Sequence, residues 1–488
     1  MNEIYGQKKR RINILNAETL EYDIKLGQNV QRLKGNVQFE NKGMLLFCDS
    51  AYFYPNNFVE AFGKVHANRG DSIHMYSDSL EFDGDNQIAL ASGNVSLSDR
   101  EMLLKTDQLH FNIKENTSSY YSGGRITNKE NTLTSKRGYY NSNSKVFSFK
   151  DSVELKNPEY IMYTDTLQFN TISEIAYFFG PTTIISDEST IYTEKGWYNT
   201  QNDKSELSLN NKLTSEEQTL FADSILYDRS SGISRAYFNI LISDTTNKLE
   251  IRGDYGLYNQ HSHRSFVTQK ATMIQAFEED SLFLHADSLW LYRDTLTNLN
   301  EILAYYNARF FKPDFQGVCD SLVYIQKDSL IRMYHDPILW SKNNQLTGDY
   351  MEILLYDDEI KQLNIDNNAF IISKVDAVHF NQIKGRNMIA KFKKNEMERI
   401  YVNGNGQTIY FAEEENKIPV KLIGMNALDC SNILVTVKDS KIEHMTFLDQ
   451  PNGIMTPMEK VDPTKMKLPE FKIYDDVKPI SKEDIYRE

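Results

Sequence analysis

The residues best placed to do chemistry are carboxylates that recur at a regular spacing. Asp49, Asp78, Asp107, Asp165 and Asp223 lie 29 or 58 residues apart. Calcium-binding repeats use a nine-residue period with G-G-x-G-x-D, which is absent here, and Lys136 replaces the acidic residue in one repeat. The spacing therefore favours turn caps, in which each side chain accepts backbone N–H bonds at the start of a strand. Ion binding and catalysis are the less favoured alternatives.

The other reactive residue types form no recognisable constellation. His261 and His263 make an H-x-H that needs a third ligand to hold a metal, so solvated turn histidines are the simpler interpretation. Cys48, Cys319 and Cys430 are too few and too far apart for a disulfide framework, and fit small buried residues beside turns. The sequence contains no G-x-S-x-G, H-E-x-x-H or P-loop motif. It therefore predicts no catalytic residue, no metal site, no cofactor and no enzyme activity.

Charge and composition exclude several classes of protein. Lys and Arg number 54 against 68 Asp and Glu, and the net charge of −14 is opposite to that of a nucleic-acid binder. No apolar run reaches the length of a transmembrane helix. The 29 Tyr and 26 Phe, with only 11 Pro, favour β-strands.

The elements that must position these residues are short repeats of two kinds. One kind places an acidic residue before an alternating apolar segment, as in AETLEYD (17–23), CDSAYFY (48–54), SDSLEFD (77–83), TDQLHFN (106–112), TDTLQFN (164–170), ADSILYD (222–228), ADSLWLY (286–292) and CDSLVYI (319–325). The other kind lies between these segments, as in KGNVQFE (34–40), FGKVHAN (62–68) and SGNVSLS (92–98). Each unit of about 29 residues is therefore expected to contain two strands of six to eight residues, joined by turns rich in Asn, Asp, Gly and Ser.

A unit of this size cannot bury its own apolar face, so neighbouring units must stack to form a continuous core. The sequence predicts an all-β fold, an elongated antiparallel β-jelly roll or solenoid-like stack of about 12–14 two-strand repeats. The spacing of the repeats becomes less regular near 210–220 and 375, which divides them into 12–210, 211–374 and 375–450. Residues 451–488, which carry five of the prolines, are expected to form an extended tail.

The alternating L-x-G-N-V and D-x-L-x-F/Y strands resemble the OstA-like (LptA) family. The resemblance is clearest in three pairs of segments and covers about 12–450. These pairs are 33–39 with 49–53, 61–65 with 78–82, and 91–97 with 107–111. It implies a jelly roll opened along one side, which carries the acyl chains of lipopolysaccharide across the periplasm. No signal peptide is visible before the first strand, so a trimmed signal or a late start codon is expected.

The alternation of apolar and polar residues predicts which side chains form the apolar stripe that would carry this function. The residues expected to face inward and to bind acyl chains are Val37, Phe39, Ala51, Phe53, Val65, Leu80, Phe82, Val95, Leu97, Leu109, Phe111, Leu167 and Phe169. Periodicity alone also fits a dry core, and a structural or adhesive scaffold that binds proteins is the alternative function. Partners under the transport hypothesis are lipopolysaccharide and the inner-membrane and outer-membrane transport components, joined by edge-strand pairing, with end-to-end self-association as a further possibility.

Three glycines interrupt the stripe where the other repeats have an apolar residue. They are Gly138, Gly196 and Gly256, and each lies near large aromatic residues in the sequence. Glycine inside a strand marks a bulge or the close approach of another group. A bulge or a filling aromatic is the favoured interpretation, and a recess that lines a lipid channel is the other.

Overall fold

The computed structural model describes residues 12–487, except 23–24, 26, 28, 71–72, 129, 188, 216–217, 279, 295–299, 357–358, 415–420 and 439–440. The chain is organised as two units. The first comprises the described residues of Met1–Glu216 and Asp223–Ser231, and the second comprises those of Glu217–Ala222 and Gly232–Glu488.

The described residues of both units are almost entirely antiparallel strands, with single 3-10 turns as the exceptions. The strands of the first unit are β1 (Asn13–Asn16), β2 (Thr19–Tyr22), β3 (Gln31–Asn41), β4 (Met44–Tyr54), β5 (Phe58–Arg69), β6 (Ile73–Asp83), β7 (Ile88–Ser98), β8 (Leu103–Asn112), β9 (Thr117–Tyr120), β10 (Gly124–Thr127), β11 (Thr132–Ser135), β12 (Arg137–Asn141), β13 (Val146–Lys156), β14 (Tyr160–Asn170), β15 (Ile175–Ser186), β16 (Thr190–Asn199) and β17 (Lys204–Thr214). Strand β18 (Gln218–Asp228) has residues in both units.

The strands of the second unit are β19 (Ile233–Asp244), β20 (Leu249–Asn259), β21 (Arg264–Thr268), β22 (Thr272–Ala276), β23 (Ser281–His285), β24 (Ser288–Arg293), β25 (Asn300–Lys312), β26 (Phe315–Ile325), β27 (Leu330–Tyr334), β28 (Ile338–Ser341), β29 (Asn344–Thr347), β30 (Tyr350–Tyr356), β31 (Glu359–Asp366), β32 (Ala369–Lys374), β33 (Phe380–Gly385), β34 (Asn387–Lys393), β35 (Glu396–Glu413), β36 (Leu422–Lys438), β37 (Lys441–Leu448) and β38 (Asn452–Pro457). The prediction of an all-β chain built from antiparallel two-strand repeats is confirmed.

The strands are about twice as long as the sequence pattern suggested. Strands β3 to β7 have 11 or 12 residues each, and each conspicuous motif occupies only the second half of its strand. A bulge separates the halves: where β5 meets β6, the register shifts between Phe62 and Val65. The predicted length of six to eight residues is therefore wrong, because the register shift resets the alternation in the partner strand: the buried residues of β6 are Met75 and Ser77 before the shift and Leu80 and Phe82 after it.

Backbone conformation explains why G-N-V recurs at the bulges. In β7, Gly93 and Asn94 have φ of 78° and 46°, a left-handed region that glycine and asparagine tolerate best. The carboxylate of Asp78 lies opposite, and Asn94 Nδ2 donates to its Oδ2 over 2.8 Å. Asp78 is thus in the middle of β6 rather than at its start, and the expected turn cap is wrong. The recurring acidic residues therefore lie opposite the bulges rather than at the hairpin turns.

Each bulge brings the two halves of a strand around one core. In the first unit, Leu33 and Ala61 before their bulges join Val37 and Val65 after them in a single hydrophobic cluster. In the second unit a larger cluster extends from Leu249 to Val435. The regular repeats therefore form closed, well-filled interiors.

The chain after β38 forms an extended segment that crosses the outward face of the second unit. We call residues 458–487 the strap. Its first part packs Met458, Val461, Met466 and Leu468 on Ile409, Phe411 and Met425, and its last part places the buried Ile485 near β23 and β25. Because the strap crosses strands rather than pairing with them, its backbone needs hydrogen-bond partners from side chains.

Two buried glutamines supply these partners in the same geometry. Gln382 Nε2 donates to Met466 O and its Oε1 accepts from Leu468 N, both over 2.8 Å. Gln345 repeats the arrangement with Lys472 O and Tyr474 N, again over 2.8 Å. Each amide side chain therefore binds the strap backbone at two points, as a neighbouring strand would.

The bulges generate a prediction about stability. A Cβ built on Gly93 would lie 2.9 Å from Asp78 Cβ, whereas one built on Gly43, with φ of 82°, meets no atom within 4 Å. Both Gly→Ala changes place alanine in a left-handed conformation, but only Gly93→Ala also displaces a neighbour. We expect Gly93→Ala to destabilise the first unit by about 1 kcal/mol more than Gly43→Ala. Thermal unfolding measures the difference, and equal losses for the two variants would contradict the role assigned to the bulge.

The glutamines generate a second prediction. Gln345→Leu and Gln382→Leu each remove two hydrogen bonds, worth about 0.5–1.5 kcal/mol apiece, and leave strap groups unpaired. Backbone amides of 466–487 should exchange faster with deuterium in both variants. The control is Gln407→Leu, because Gln407 bonds Asp429 rather than the strap. Unchanged exchange in the two strap variants would show that apolar packing alone holds the strap.

Candidate lipid-binding site

The structure places the predicted inward stripe in the interior of the first unit. Four of its members, Phe53, Leu97, Phe111 and Phe169, are half-buried. The others are fully buried: Val37, Phe39, Ala51, Val65, Leu80, Phe82, Val95, Leu109 and Leu167. All of these except Leu167 belong to one hydrophobic cluster. Whether they bind lipid stays a prediction.

The stripe is interrupted by polar residues beyond the first repeats. At positions that hold Val65 and Val95 earlier in the chain, Thr182 and Asn211 are buried instead. Thr182 Oγ1 lies 2.8 Å from Thr164 Oγ1, and Thr193 Oγ1 donates to Asn211 Oδ1 over 2.7 Å. These hydroxyl and amide groups satisfy one another in the core. Leu167 therefore lies outside the hydrophobic cluster that contains Phe82 and Leu109.

An apolar recess opens where the repeat is least regular, at β9 to β12. It has a volume of about 120 Å³. Residues from several strands meet in it, among them Leu97, Leu109, Tyr120, Gly138 and Phe149. Leu97 and Leu109 are thus the members of the predicted stripe that reach an accessible space.

Glycines make this space by letting a tyrosine ring lie flat against the sheet. A Cβ on Gly138 would lie 2.7 Å from the Tyr120 hydroxyl, and one on Gly124 would lie 2.8 Å from Tyr120 Cε1. The hydroxyl is 2.6 Å from Ser135 Oγ, and burial raises the pKa of Tyr120. Gly138 therefore fits both interpretations of the sequence, since an aromatic ring covers it and it also lines a recess.

The other two interrupting glycines are filled more simply. The ring of Phe178 covers Gly196, and Ile240 Cδ1 lies 3.1 Å from a Cβ position on Gly256. A filling aromatic is therefore observed at Gly138 and Gly196, whereas an aliphatic side chain takes this role at Gly256.

The size of the recess limits what it can hold. An apolar cavity of about 150 Å³ accepts benzene, and pockets for drug-sized ligands measure about 300–1,000 Å³. At about 120 Å³, the recess matches the end of one hydrocarbon chain rather than a whole lipid. Its walls are mostly apolar, although Asp99 and the hydroxyl-bearing side chains of Tyr120, Tyr139 and Tyr140 also line it.

The other candidate residues are dispersed. Among the described residues, no group of three or more His, Cys, Asp or Glu is placed to hold a metal ion. His261 and His263 are exposed in the turn between β20 and β21. All three cysteines are free; burial raises the pKa of Cys48 to about 11 and that of Cys319 to about 12. These thiols are weak nucleophiles, because the thiolate is the reactive form.

Sequence reasoning missed most of the recess. Phe147, Phe149 and Tyr140 line it but were not predicted. A usable signal was present, because Lys136 and the Gly123–Gly124 pair break the repeat at this point. A second, polar cavity in the second unit was also missed.

Comparison with known families identifies the segment that contains the recess. Residues 9–165 and 159–217 match the family model described as OstA-like protein. This part of the chain is similar to that family. The recess at β9–β12 thus lies inside the matched segment, whereas the strap lies outside it.

Two solved structures resemble the chain to a limited extent. The first is LptH, the LptA-homologous periplasmic component of the lipopolysaccharide transport device from Pseudomonas aeruginosa. It has 13% identity and a TM-score of 0.19, and the alignment covers 20% of this chain and 76% of that one. The extracellular domain of the one-component system protein BT4673 from B. thetaiotaomicron has 7% identity and a TM-score of 0.11, with coverage of 87% and 90%.

A comparison with curated proteins gave no match. In the part of the chain that the structure describes, no helix has the length and apolar character needed to span a membrane.

Proposed function

We propose that the chain is a periplasmic, non-enzymatic carrier that shields lipopolysaccharide acyl chains during transport between the membranes. The observation that carries the proposal is the apolar recess, because it is an accessible hydrocarbon-sized space within the segment that matches the OstA-like family model. Acyl chains entering it contact Leu97, Leu109 and the ring of Tyr120.

The energetics fit a transient binding step. Burial of about four methylene groups, at about 0.8 kcal/mol each, contributes roughly 3 kcal/mol. Such a contribution alone corresponds to a dissociation constant in the millimolar range or weaker. Weak capture suits handover between successive sites. Tighter binding requires the closed core beside Val37 and Phe82 to part, so that more of the acyl chain is covered.

Charge does not assist the approach of the lipid. A net charge of −14 repels an anionic glycolipid at long range. Loading therefore depends on removal of acyl surface from water, and attraction of head-group phosphates is left to local cations such as Arg125, beside the recess-lining Ile126 in β10.

Edge strands are the proposed contacts with the other transport components. Strands β1 and β2 have four residues each and pair with β3 on one side. No further strand pairs with them among the described residues, and Leu15, Leu20 and Tyr22 are 54%, 48% and 64% exposed. The basic run Lys8–Arg11, which precedes this edge in the sequence, lies outside the described residues. An exposed strand edge with apolar side chains is suited to pairing with another strand.

A dry scaffold is the alternative, and the full burial of nine stripe residues favours it. The two functions differ in the use of the recess. A scaffold needs no accessible hydrocarbon-sized space, whereas a carrier does.

The recess gives a direct test of lipid capture. Leu97 lines the recess, and Leu90 is a half-buried leucine in the first half of the same strand, β7, outside the recess. With a photoreactive acyl-chain probe, Leu97→Gln should reduce crosslinking about tenfold, which corresponds to a loss of about 1.4 kcal/mol. Leu90→Gln is the matched control and should crosslink like the wild type. Equal crosslinking by both variants would favour the dry scaffold.

The exposed edge gives a test of assembly. The double change Leu15→Lys and Leu20→Lys places charges on β1 and β2, which should block pairing. Ile172→Lys is the control, because Ile172 is 74% exposed in a turn away from the edge. Sedimentation velocity of the full chain should show loss of end-to-end species for the double variant only. Assembly that persists in the double variant would exclude this edge.

A further inference from the structure

The second unit contains a large cavity next to the end of the strap. Its volume is about 1,250 Å³, which exceeds the range of drug-sized pockets, about 300–1,000 Å³. Its lining comes from two sources. The floor is formed near the bulges of β19, β20 and β25, and one wall is formed by Tyr486 and Arg487 of the strap.

The strap is anchored so that its last residues reach this wall. Ile485 is fully buried, and the Tyr486 hydroxyl lies 2.9 Å from Thr272 Oγ1. The Tyr486 ring is 4.9 Å from the ring of His285, centroid to centroid. About 46% of Tyr486 remains exposed, so part of its ring is available to a ligand.

The lining of the cavity is rich in cationic side chains. It contains four cationic side chains, of Arg252, Lys270, Arg309 and Arg487, and two carboxylates, of Asp254 and Asp287. With the imidazole of His285 neutral, the lining groups alone sum to +2, and the carboxylates of Glu250 and Asp484 outside the lining offset the charges of Arg252 and Arg487. Local attraction of an anion therefore depends on a cation that has no carboxylate partner.

Arg309 is the cation least occupied by protein groups. Arg252 pairs with Glu250 over 2.7 Å, Arg487 pairs with Asp484 over 2.9 Å, and Lys270 lies 3.6 Å from Asp254. Arg309 is half-buried, and it has no carboxylate within salt-bridge distance among the described residues. It lies directly opposite His285 on the neighbouring strand. Its guanidinium can therefore bind a phosphate or carboxylate in two-point geometry.

The remaining lining is suited to a sugar. Asp287 accepts from Asn307 Nδ2 over 3.2 and 3.3 Å and keeps further lone pairs for hydroxyl donors. Thr268 and Gln269 add polar groups, and the Tyr486 ring offers a face on which a sugar ring packs. An apolar ligand is disfavoured here, because so many charged groups would lose water without gaining partners.

We infer that this cavity is a binding site for an anionic oligosaccharide, with Arg309 holding its phosphate group and Tyr486 packing against a sugar ring. The strap is the element that completes the site. This site does not depend on the proposed acyl-chain recess, which lies in the first unit, so either can fail without the other.

The test uses the full chain and a probe that has no acyl chains. The probe is the phosphorylated oligosaccharide released from lipopolysaccharide by complete deacylation, and the reference is the same material after phosphatase treatment. Calorimetry should detect binding of the phosphorylated form and at least tenfold weaker binding of the treated form. Binding of intact lipopolysaccharide is measured in parallel. Binding of the intact form would identify a glycolipid head group as the source of the ligand, whereas binding of the deacylated form alone would identify a free oligosaccharide.

Variants connect the binding to the cavity. Arg309→Gln should weaken binding of the phosphorylated probe at least tenfold, and Tyr486→Ala should weaken it severalfold. Arg399→Gln removes the same charge from an exposed position outside the cavity and should leave binding unchanged. Unfolding temperatures confirm that each variant is folded. Equal loss in Arg309→Gln and Arg399→Gln, or equal binding of both oligosaccharide forms, would overturn the assignment.

Discussion

The structure depends on one local backbone constraint, the pair of left-handed residues in the middle of alternate long strands. Asn36, Lys64 and Asn94 adopt this conformation beside glycines in β3, β5 and β7, and Asn239 and Asn307 adopt it beside Phe238 and Tyr306 in the second unit. Each pair bends its strand, so that residues before and after it contribute to one core. Because successive strands place these residues side by side, the bends align and the interior is continuous within a unit.

In this fold, accessible space lies where the repeat is irregular. Where the repeat is most regular, as at Val37, Val65 and Val95, the side chains of the interior are fully buried. Space appears where the pattern breaks, at Gly124 and Gly138, because a tyrosine ring replaces the usual aliphatic packing. Departures from the repeat are therefore better indicators of binding in such a chain than the repeat itself.

The sequence predicted the class of fold because period-two alternation reports directly which face of a strand is buried. It placed Phe39, Phe82 and Leu109 in the interior for this reason. It could not give the strand lengths, since the alternation changes parity in the middle of a strand such as β6, between Ser77 and Leu80, and this hides the first half of the strand. Nor could it find the polar cavity, because Arg309 and Tyr486 are 177 residues apart and meet only after the strap has crossed the sheet.

The glutamine contacts fix the spacing of residues along the strap. Gln382 and Gln345 bind main-chain atoms at 466, 468, 472 and 474, so the number of residues between these contacts is fixed by the main chain. Loss or gain of one residue between 468 and 472 would invert which side chains face the sheet and shift everything beyond. Among relatives that share this architecture, the number of residues between the two glutamine contacts should be constant even where the amino acids between them differ.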